Sequence, residues 1–311
     1  MRQINCIPPY RHACWTLAWS LGFFGLIAPC AMAQTDIEVI PVAGNIHMLV
    51  GRGGNIGVLT GDKGTYLIDD KFEDLTEQIV AAVQSIDDRY IRCVINTHWH
   101  GDHTGGNKNL GETGAMIVAH DNVRTRLSKD QVVKDFDMQV PAQPEIGLPV
   151  VTFTETMTIF ENGEEIHIHH MPRAHTDGDS IVHFRRANVV HMGDLFFNGM
   201  YPYIDLDSGG GVDGMIAGIE RALEMTNADT KYIPGHGPLG DRAALLEAFD
   251  MLLIARAEVG ALVEDGMSRD DVKAADPLAD LNEKWGGGFM KPERFTEILY
   301  DSLSGGNSGG R

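Results

Sequence analysis

Cysteine is scarce in this chain of 311 residues: there are four, and Cys6, Cys14 and Cys30 all fall within the first 33 positions. Past that point only Cys93 remains, so a disulfide framework is excluded. Cys93 lies inside the apolar run Ile91-Arg92-Cys93-Val94-Ile95 and reads as a buried, inert thiol, not a nucleophile. Positive charge is short as well, with 25 Lys and Arg against 44 Asp and Glu and a formal net charge of −19. Phosphate backbones and anionic membrane surfaces would repel such a chain, which argues against both as partners. A fixed-period repeat is absent, and the only low-complexity block is the C-terminal Ser304-Gly-Gly-Asn-Ser-Gly-Gly-Arg311, a flexible tail.

What remains is the composition of a globular protein, 43% hydrophobic and 22% charged. The N-terminus departs from it. Arg2 and Arg11 precede the apolar run from Trp15 to Pro29, and Ala31-Met32-Ala33 follows as an Ala-x-Ala cleavage site. The run has 15 residues, short of the ~20 that a spanning helix needs. A secretory leader over 1–33 is therefore expected, with cleavage after Ala33 and a periplasmic or secreted mature protein without a stable membrane anchor. A lipoprotein reading through Cys30 suffers from Pro29 before it. Since the leader holds two arginines and no acid, its loss makes the net charge more negative still.

Along the mature chain, Ile37–Val42, Asn45–Val50, Ile56–Thr60 and Thr65–Asp69 read as short strands between glycine-rich turns, an antiparallel meander. A helix over 74–85 and a strand over 91–95 follow, then a strand over 115–119 and a helix over 121–127 with Asp121 as N-cap. The stretch 129–150, with Pro141, Pro144 and Pro149, reads as a surface loop. A second run of strands covers 151–153, 157–160, 165–170, 180–185 and 188–192, with a hairpin at Asn162-Gly163. Helical spacing over 215–225, a short strand over 231–233 and helices over 241–263, 268–275 and 292–303 complete the chain. Strands in two runs, each followed by helices, predict an α/β sandwich of two halves, with the helices after about 241 packed on the same domain (34–303).

The densest chemistry is Thr97-His98-Trp99-His100-Gly101-Asp102-His103-Thr104-Gly105-Gly106-Asn107, at the mouth of the strand 91–95. In extended backbone, residues two apart point to one side, so His98 and His100 face one centre. Asp102 and His103, past the bend at Gly101, can face a second. Imidazole nitrogen and carboxylate oxygen are ligands of zinc and related divalent metals. Four residues on one loop cannot complete two sites. His175 (in Arg173-Ala-His-Thr-Asp177), Asp194 (after Met192-Gly193) and His236 (between Gly235 and Gly237), each at a strand end, are the candidates to complete them.

In this order, H-x-H-x-D-H, a lone His, a Gly-Asp after a strand and a Gly-His-Gly after another resembles the metallo-β-lactamase superfamily, over roughly Ile37 to Gly240. The resemblance implies a four-layer αβ/βα sandwich with the metals at one edge of the two sheets. It implies that His98, His100 and His175 hold one metal, that Asp102, His103 and His236 hold the other, and that Asp194 bridges them. Asp69 matches an acid that supports the metal loop from behind. The implied cofactor is two Zn2+, with iron or a mixed pair left open. The implied reaction is attack of a metal-bound hydroxide on an acyl bond (ester, thioester, lactone or lactam) of a small-molecule substrate, with Asp102 orienting the hydroxide and shuttling its proton.

Departures bear on the substrate. Zinc β-lactamases of the nearest layout carry Cys where this chain has Asp194, and Lys where it has Phe197. Asp194 resembles the choice of glyoxalase II-like and lactonase-like hydrolases, so β-lactam turnover is expected to be incidental. A persulfide dioxygenase with a single iron keeps the same ligand pattern and is the alternative enzyme class, with a weak, promiscuous β-lactamase as main role the other alternative. A non-catalytic metal-binding protein is a third reading. His120, at a strand end, is a candidate support for the metal ligands, and Asn55, Phe196 and Tyr201 are candidate substrate contacts. His47, His167, His169, His170, His183, His191 and Trp99 read as structural. The glycines at 208–212 read as a lid over the site or as a helix entry.

Overall fold

The computed structural model describes residues 37–305; the expected leader over 1–33 and the tail beyond 305 lie outside them. Strands Glu38–Ala43, Ile46–Val50, Ile56–Leu59 and Thr65–Ile68 pair antiparallel in sequence order, as their tight glycine turns require. From Thr65–Ile68 the sheet continues in parallel through Ile91–Ile95, Met116–His120 and Val151–Phe153. Parallel neighbours need crossover connections, and the first is the helix Thr76–Ile86. The second sheet has six strands, Thr156–Glu161, Glu164–His170, Ser180–Phe184, Val189–His191, Lys231–Ile233 and Gly240–Asp241. Its hairpin turns on Asn162-Gly163, both at positive φ (+50° and +78°), the geometry that Asn-Gly favours.

Three apolar clusters explain the layering. Ile68, Ile95 and Val118 of the first sheet meet Ile168, Val182 and Ile233 of the second between the two. On the outer face of the first sheet, Leu67 and Val94 pack with Ile79 and Val83 of the helix Thr76–Ile86. On the outer face of the second, Ile181, Val190 and Tyr232 share a cluster with Ile219, Leu252 and Phe295 from the helices Val212–Glu224, Arg242–Glu264 and Pro292–Ser304. Helix, sheet, sheet, helix is the four-layer αβ/βα sandwich. The two strands Ile56–Leu59 and Thr65–Ile68 are buried throughout, because both faces of their sheet are covered. Among the described residues no helix is long and apolar enough to cross a membrane.

Several local expectations need correction. The stretch 129–150 contains a hairpin, Gln131–Val133 paired with Met138–Val140, whose apolar side chains Val132, Phe136 and Met138 stay exposed. Three-residue strands without an alternating buried face carry little periodic signal. The helix Asp121–Leu127 is capped by His120, whose Nδ1 accepts from the amide of Asn122 at 3.2 Å, not by Asp121. Short helices Gly101–Thr104, Asn107–Glu112 and Ala279–Trp285 were not anticipated. Ser304 belongs to the last helix, so the tail begins one residue later.

Candidate metal centre

The loop that leaves the strand Ile91–Ile95 is fixed by the segment that leaves its neighbour. Asp69 is buried at φ +66°. It accepts from the Thr97 amide (2.7 Å), the Thr97 hydroxyl (2.8 Å) and His103 Nδ1 (2.8 Å). Asp70 accepts from the Gly106 amide at 2.9 Å, and the buried Lys71 donates its ammonium to the Gly54 carbonyl. Burial lowers the Lys71 ammonium to about 8 against the pull of Asp102 and Asp69. A Cβ at Gly54 would lie 2.1 Å from the His103 ring, so only glycine lets that turn approach. A Cβ at Gly235 would likewise lie 1.9 Å from Asp194 Oδ1.

These supports bring seven side chains into two groups, His98, His100, His175 and Asp194 in one and Asp102, His103 and His236 in the other, with ligand atoms in each group within 4.8 Å of one another. Asp194 reaches into both. Its Oδ2 lies 3.5 Å from His175 Nε2 and 3.4 Å from His236 Nε2, and its Oδ1 lies 3.1 Å from His103 Nε2.

The outer nitrogens of the rings fix where the inner lone pairs point. His175 Nδ1 meets the Tyr203 carbonyl (2.8 Å) and His100 Nε2 meets the Asp205 carboxylate (3.0 Å); both oxygens only accept, so both nitrogens carry hydrogen. Thr97 spends its own hydrogen on Asp69, so His98 Nδ1, 3.0 Å from its hydroxyl, donates as well. What faces inward is three bare nitrogens, His98 Nε2, His100 Nδ1 and His175 Nε2, with the first and last 3.2 and 2.8 Å from the second. Lone pairs converging at that range repel unless they share an electrophile. His103 Nε2 and Asp194 Oδ1 are also buried, and neither has a hydrogen-bond partner among the described residues. Such a donor set fits divalent metal.

Charge divides the two groups. Burial and the neighbouring His103 hold His98 well below the ordinary histidine range, and burial sets His175 at about 4. Against burial, the carboxylates of Asp194, Asp102 and Asp69 raise His103, and Asp194 with Asp102 raises His236 to about 9. Against burial again, His103 and His236 pull Asp102 and Asp194 down. In the metal-free protein His98 and His175 are already deprotonated, whereas metal entering the second group displaces protons.

Several candidates from the sequence stand elsewhere. His120 stacks on His170 with ring centres 3.7 Å apart and meets the Thr154 carbonyl, away from the centre. Asn55 is buried and donates to the carbonyls of Pro234 (3.0 Å) and Gly237 (2.9 Å), so it pins the loop that carries His236 and does not face the cavity. Phe196 is buried under Gly240. Tyr201 stacks on Phe295 and donates to Asn282 at 3.0 Å. The 208–212 glycines do not line the cavity. Gly211 caps the helix Val212–Glu224, so they are a helix entry.

The sequence reading missed Asp205, which orients His100 and is held at about 2 by that bond against burial. It also missed the walls of the cavity above the metal ligands. Those come from Val133, Phe136 and Met138 of the hairpin, from Tyr203, and from Phe289 of the C-terminal region. Tyr203 and Asp205 sit in Tyr201-Pro-Tyr-Ile-Asp205, and an aromatic-acid cluster right after a ligand-bearing strand end was the available signal.

A sequence profile of the metallo-beta-lactamase superfamily matches residues 49–236. The type 2 metallo-beta-lactamase of Bacillus cereus is 27% identical over 200 residues, 63% of this chain and 71% of that one. A hydroxyacylglutathione hydrolase of Erythrobacter litoralis (strain HTCC2594) is 34% identical over 103 residues, 33% of each chain. Among solved structures, a metallo-beta-lactamase from Pontibacter korlensis overlays with a TM-score of 0.57 at 18% identity, covering 70% of this chain and 99% of that one, a likeness of fold. The profile spans more than half the chain and every candidate ligand from His98 to His236, and the chain belongs to the metallo-beta-lactamase superfamily, whose members are typically hydrolases.

Proposed function

We propose that the chain is an exported hydrolase that holds two zinc ions and cleaves an acyl bond in an ester, thioester, lactone or lactam. The observation that carries this reading is the convergence of bare imidazole nitrogens and buried carboxylate oxygens in two adjoining groups that share Asp194. Export rests on the leader layout alone. A bound pair of divalent ions supplies an acidified water and an electrophile for a carbonyl oxygen.

The chain's own residues do the rest. Asp69, Asp205 and the Tyr203 carbonyl hold the outer nitrogens of His103, His100 and His175, which sets the direction of each ring. Asp102 is the carboxylate of the centre with the largest solvent-exposed share, 23% of its side chain against 5% for Asp194. It lines the cavity and is placed to accept a proton from the water and hand it to the leaving group. Phe197 stacks on His236 with ring centres 5.1 Å apart, so it offers no cation to a substrate carboxylate; lactams are the least favoured of the four classes.

The test is a panel of esters, thioesters, lactones and lactams given to the purified, zinc-loaded protein. Hydrolysis of at least one class, lost on chelation and restored by zinc, supports the proposal. A protein that carries one iron and consumes oxygen with a persulfide contradicts it. So does a protein that carries two zinc ions and cleaves nothing in the panel.

A further inference from the structure

The cavity above the metal ligands is small, about 200 Å³, below the usual range for drug-sized ligands. Its wall is a chain of rings that starts on one ligand group and ends on the other. His100 stacks with Tyr203 (5.9 Å between centres), Tyr203 meets Phe136 (5.0 Å), Phe136 meets Phe289 (6.4 Å), and Phe289 meets His236 (5.8 Å). Val133 and Met138 fill the hairpin side.

Among the described residues the lining contains no lysine or arginine. The cations around the hairpin tip and Phe289 do not line the cavity, and Lys291, two residues past Phe289, donates to the Gly288 carbonyl at 2.9 Å. Lys134 pairs with Asp207 at 2.6 Å, and Arg294 pairs with Asp135 and, at 2.9 Å, with Glu297. The one neutral polar group of the wall is the hydroxyl of Tyr203, a side chain buried to 5% exposure. A negatively charged substituent held against the rings Tyr203, Phe136 and Phe289, clear of His236 on the floor, would lose water and meet no lysine or arginine there. An apolar one would gain from contact with the rings.

We infer that this cavity selects a small, uncharged acyl group, aryl or short aliphatic, and rejects acyl groups that end in a carboxylate. The inference rests on the hydrolase reading for its substrate, and it can fail separately because the collar can be probed without chemistry.

The experiment has two arms. In the first, the zinc-loaded protein is given 4-nitrophenyl esters of acetate, butanoate, benzoate and hemisuccinate. Relative kcat/KM should rise roughly fourfold per added methylene from acetate to butanoate, and hemisuccinate should fall below butanoate by on the order of 10²-fold. In Phe136→Lys the gap between hemisuccinate and butanoate should narrow. In the second arm, binding of benzamide and of succinamate is followed by ligand-observed NMR in metal-free protein carrying His236→Gln, which removes the imidazolium from the cavity floor, alone and combined with Phe136→Ala or Phe289→Ala. Both rings are 49% exposed, so truncation leaves the core intact. Benzamide should bind more tightly than succinamate, and each truncation should weaken benzamide roughly 2- to 10-fold. That binding pattern supports the inference even if no ester is cleaved, an outcome that overturns the hydrolase reading alone. Equal or tighter binding of succinamate, benzamide binding unchanged by both truncations, or hemisuccinate turned over as well as butanoate overturns the inference.

Discussion

At His100 the two ring nitrogens have opposite tasks. Nε2 gives its hydrogen to Asp205, and Nδ1 is thereby left bare and aimed at the nitrogens of His98 and His175. Removing the acceptor frees the ring to turn and to change tautomer. Asp205→Ala is expected to lower metal affinity or activity by about 10- to 100-fold, measured by metal titration and by kcat/KM, with folding unchanged by circular dichroism. Asp194 has the larger role, because it touches both groups. Asp194→Ala should leave no more than one metal per chain and lower kcat/KM by at least ~10²-fold. Full metal content in that variant would remove Asp194 from the centre. Of the supporting carboxylates, Asp69 was legible from its place at a strand end. Asp205 was not, because it lies 105 positions from the ring it orients, and the aromatic-acid cluster around it does not say which ring that is.

The elements show why some of the site could be read and some could not. His98, His100, Asp102 and His103 sit on one loop, so strand alternation and a single bend describe their directions. Asn55 illustrates the opposite case. The sequence offers it as a candidate substrate contact, yet its amide binds two carbonyls of a loop about 180 positions further along the chain. Asn55→Ala leaves both carbonyls short of a buried donor. It should cost about 1–3 kcal/mol of stability, seen in chemical denaturation, and should weaken metal at Asp102, His103 and His236 more than at the other group. The hairpin Gln131–Val133/Met138–Val140 was hidden for a different reason. Val133 packs into the core while Phe136 and Met138 face the cavity and Val132 is exposed, and strands of three residues are too short to show the periodicity by which strands are recognised. The C-terminal helices were visible from their spacing, but Phe289, which closes the collar, lies between helices where spacing carries no information.

For the molecule as a whole, the ligands come from both sheets. His98, His100, Asp102 and His103 follow a strand of the first, and His175, Asp194 and His236 lie on loops of the second. Metal therefore joins the two halves of the sandwich as well as equipping the cavity. At a free metal concentration a thousandfold above its dissociation constant, binding adds about 4 kcal/mol of stability. Chelation should then lower the Tm by roughly 10 °C in a chain of this size, and zinc should restore it; a Tm indifferent to chelation would mean that the two ligand groups do not hold metal in the folded protein. The sandwich itself was legible because its strands fall in two runs, each followed by helices, and its four layers followed from the family resemblance. The order of strands within each sheet needed the structure.

The most direct measurement is elemental analysis of the purified, mature protein together with hydrolysis of an uncharged ester before and after chelation. The account predicts two zinc ions per chain, hydrolysis that disappears with the metal, and its return when zinc is added back. One iron per chain, or hydrolysis that survives complete removal of metal, would contradict it.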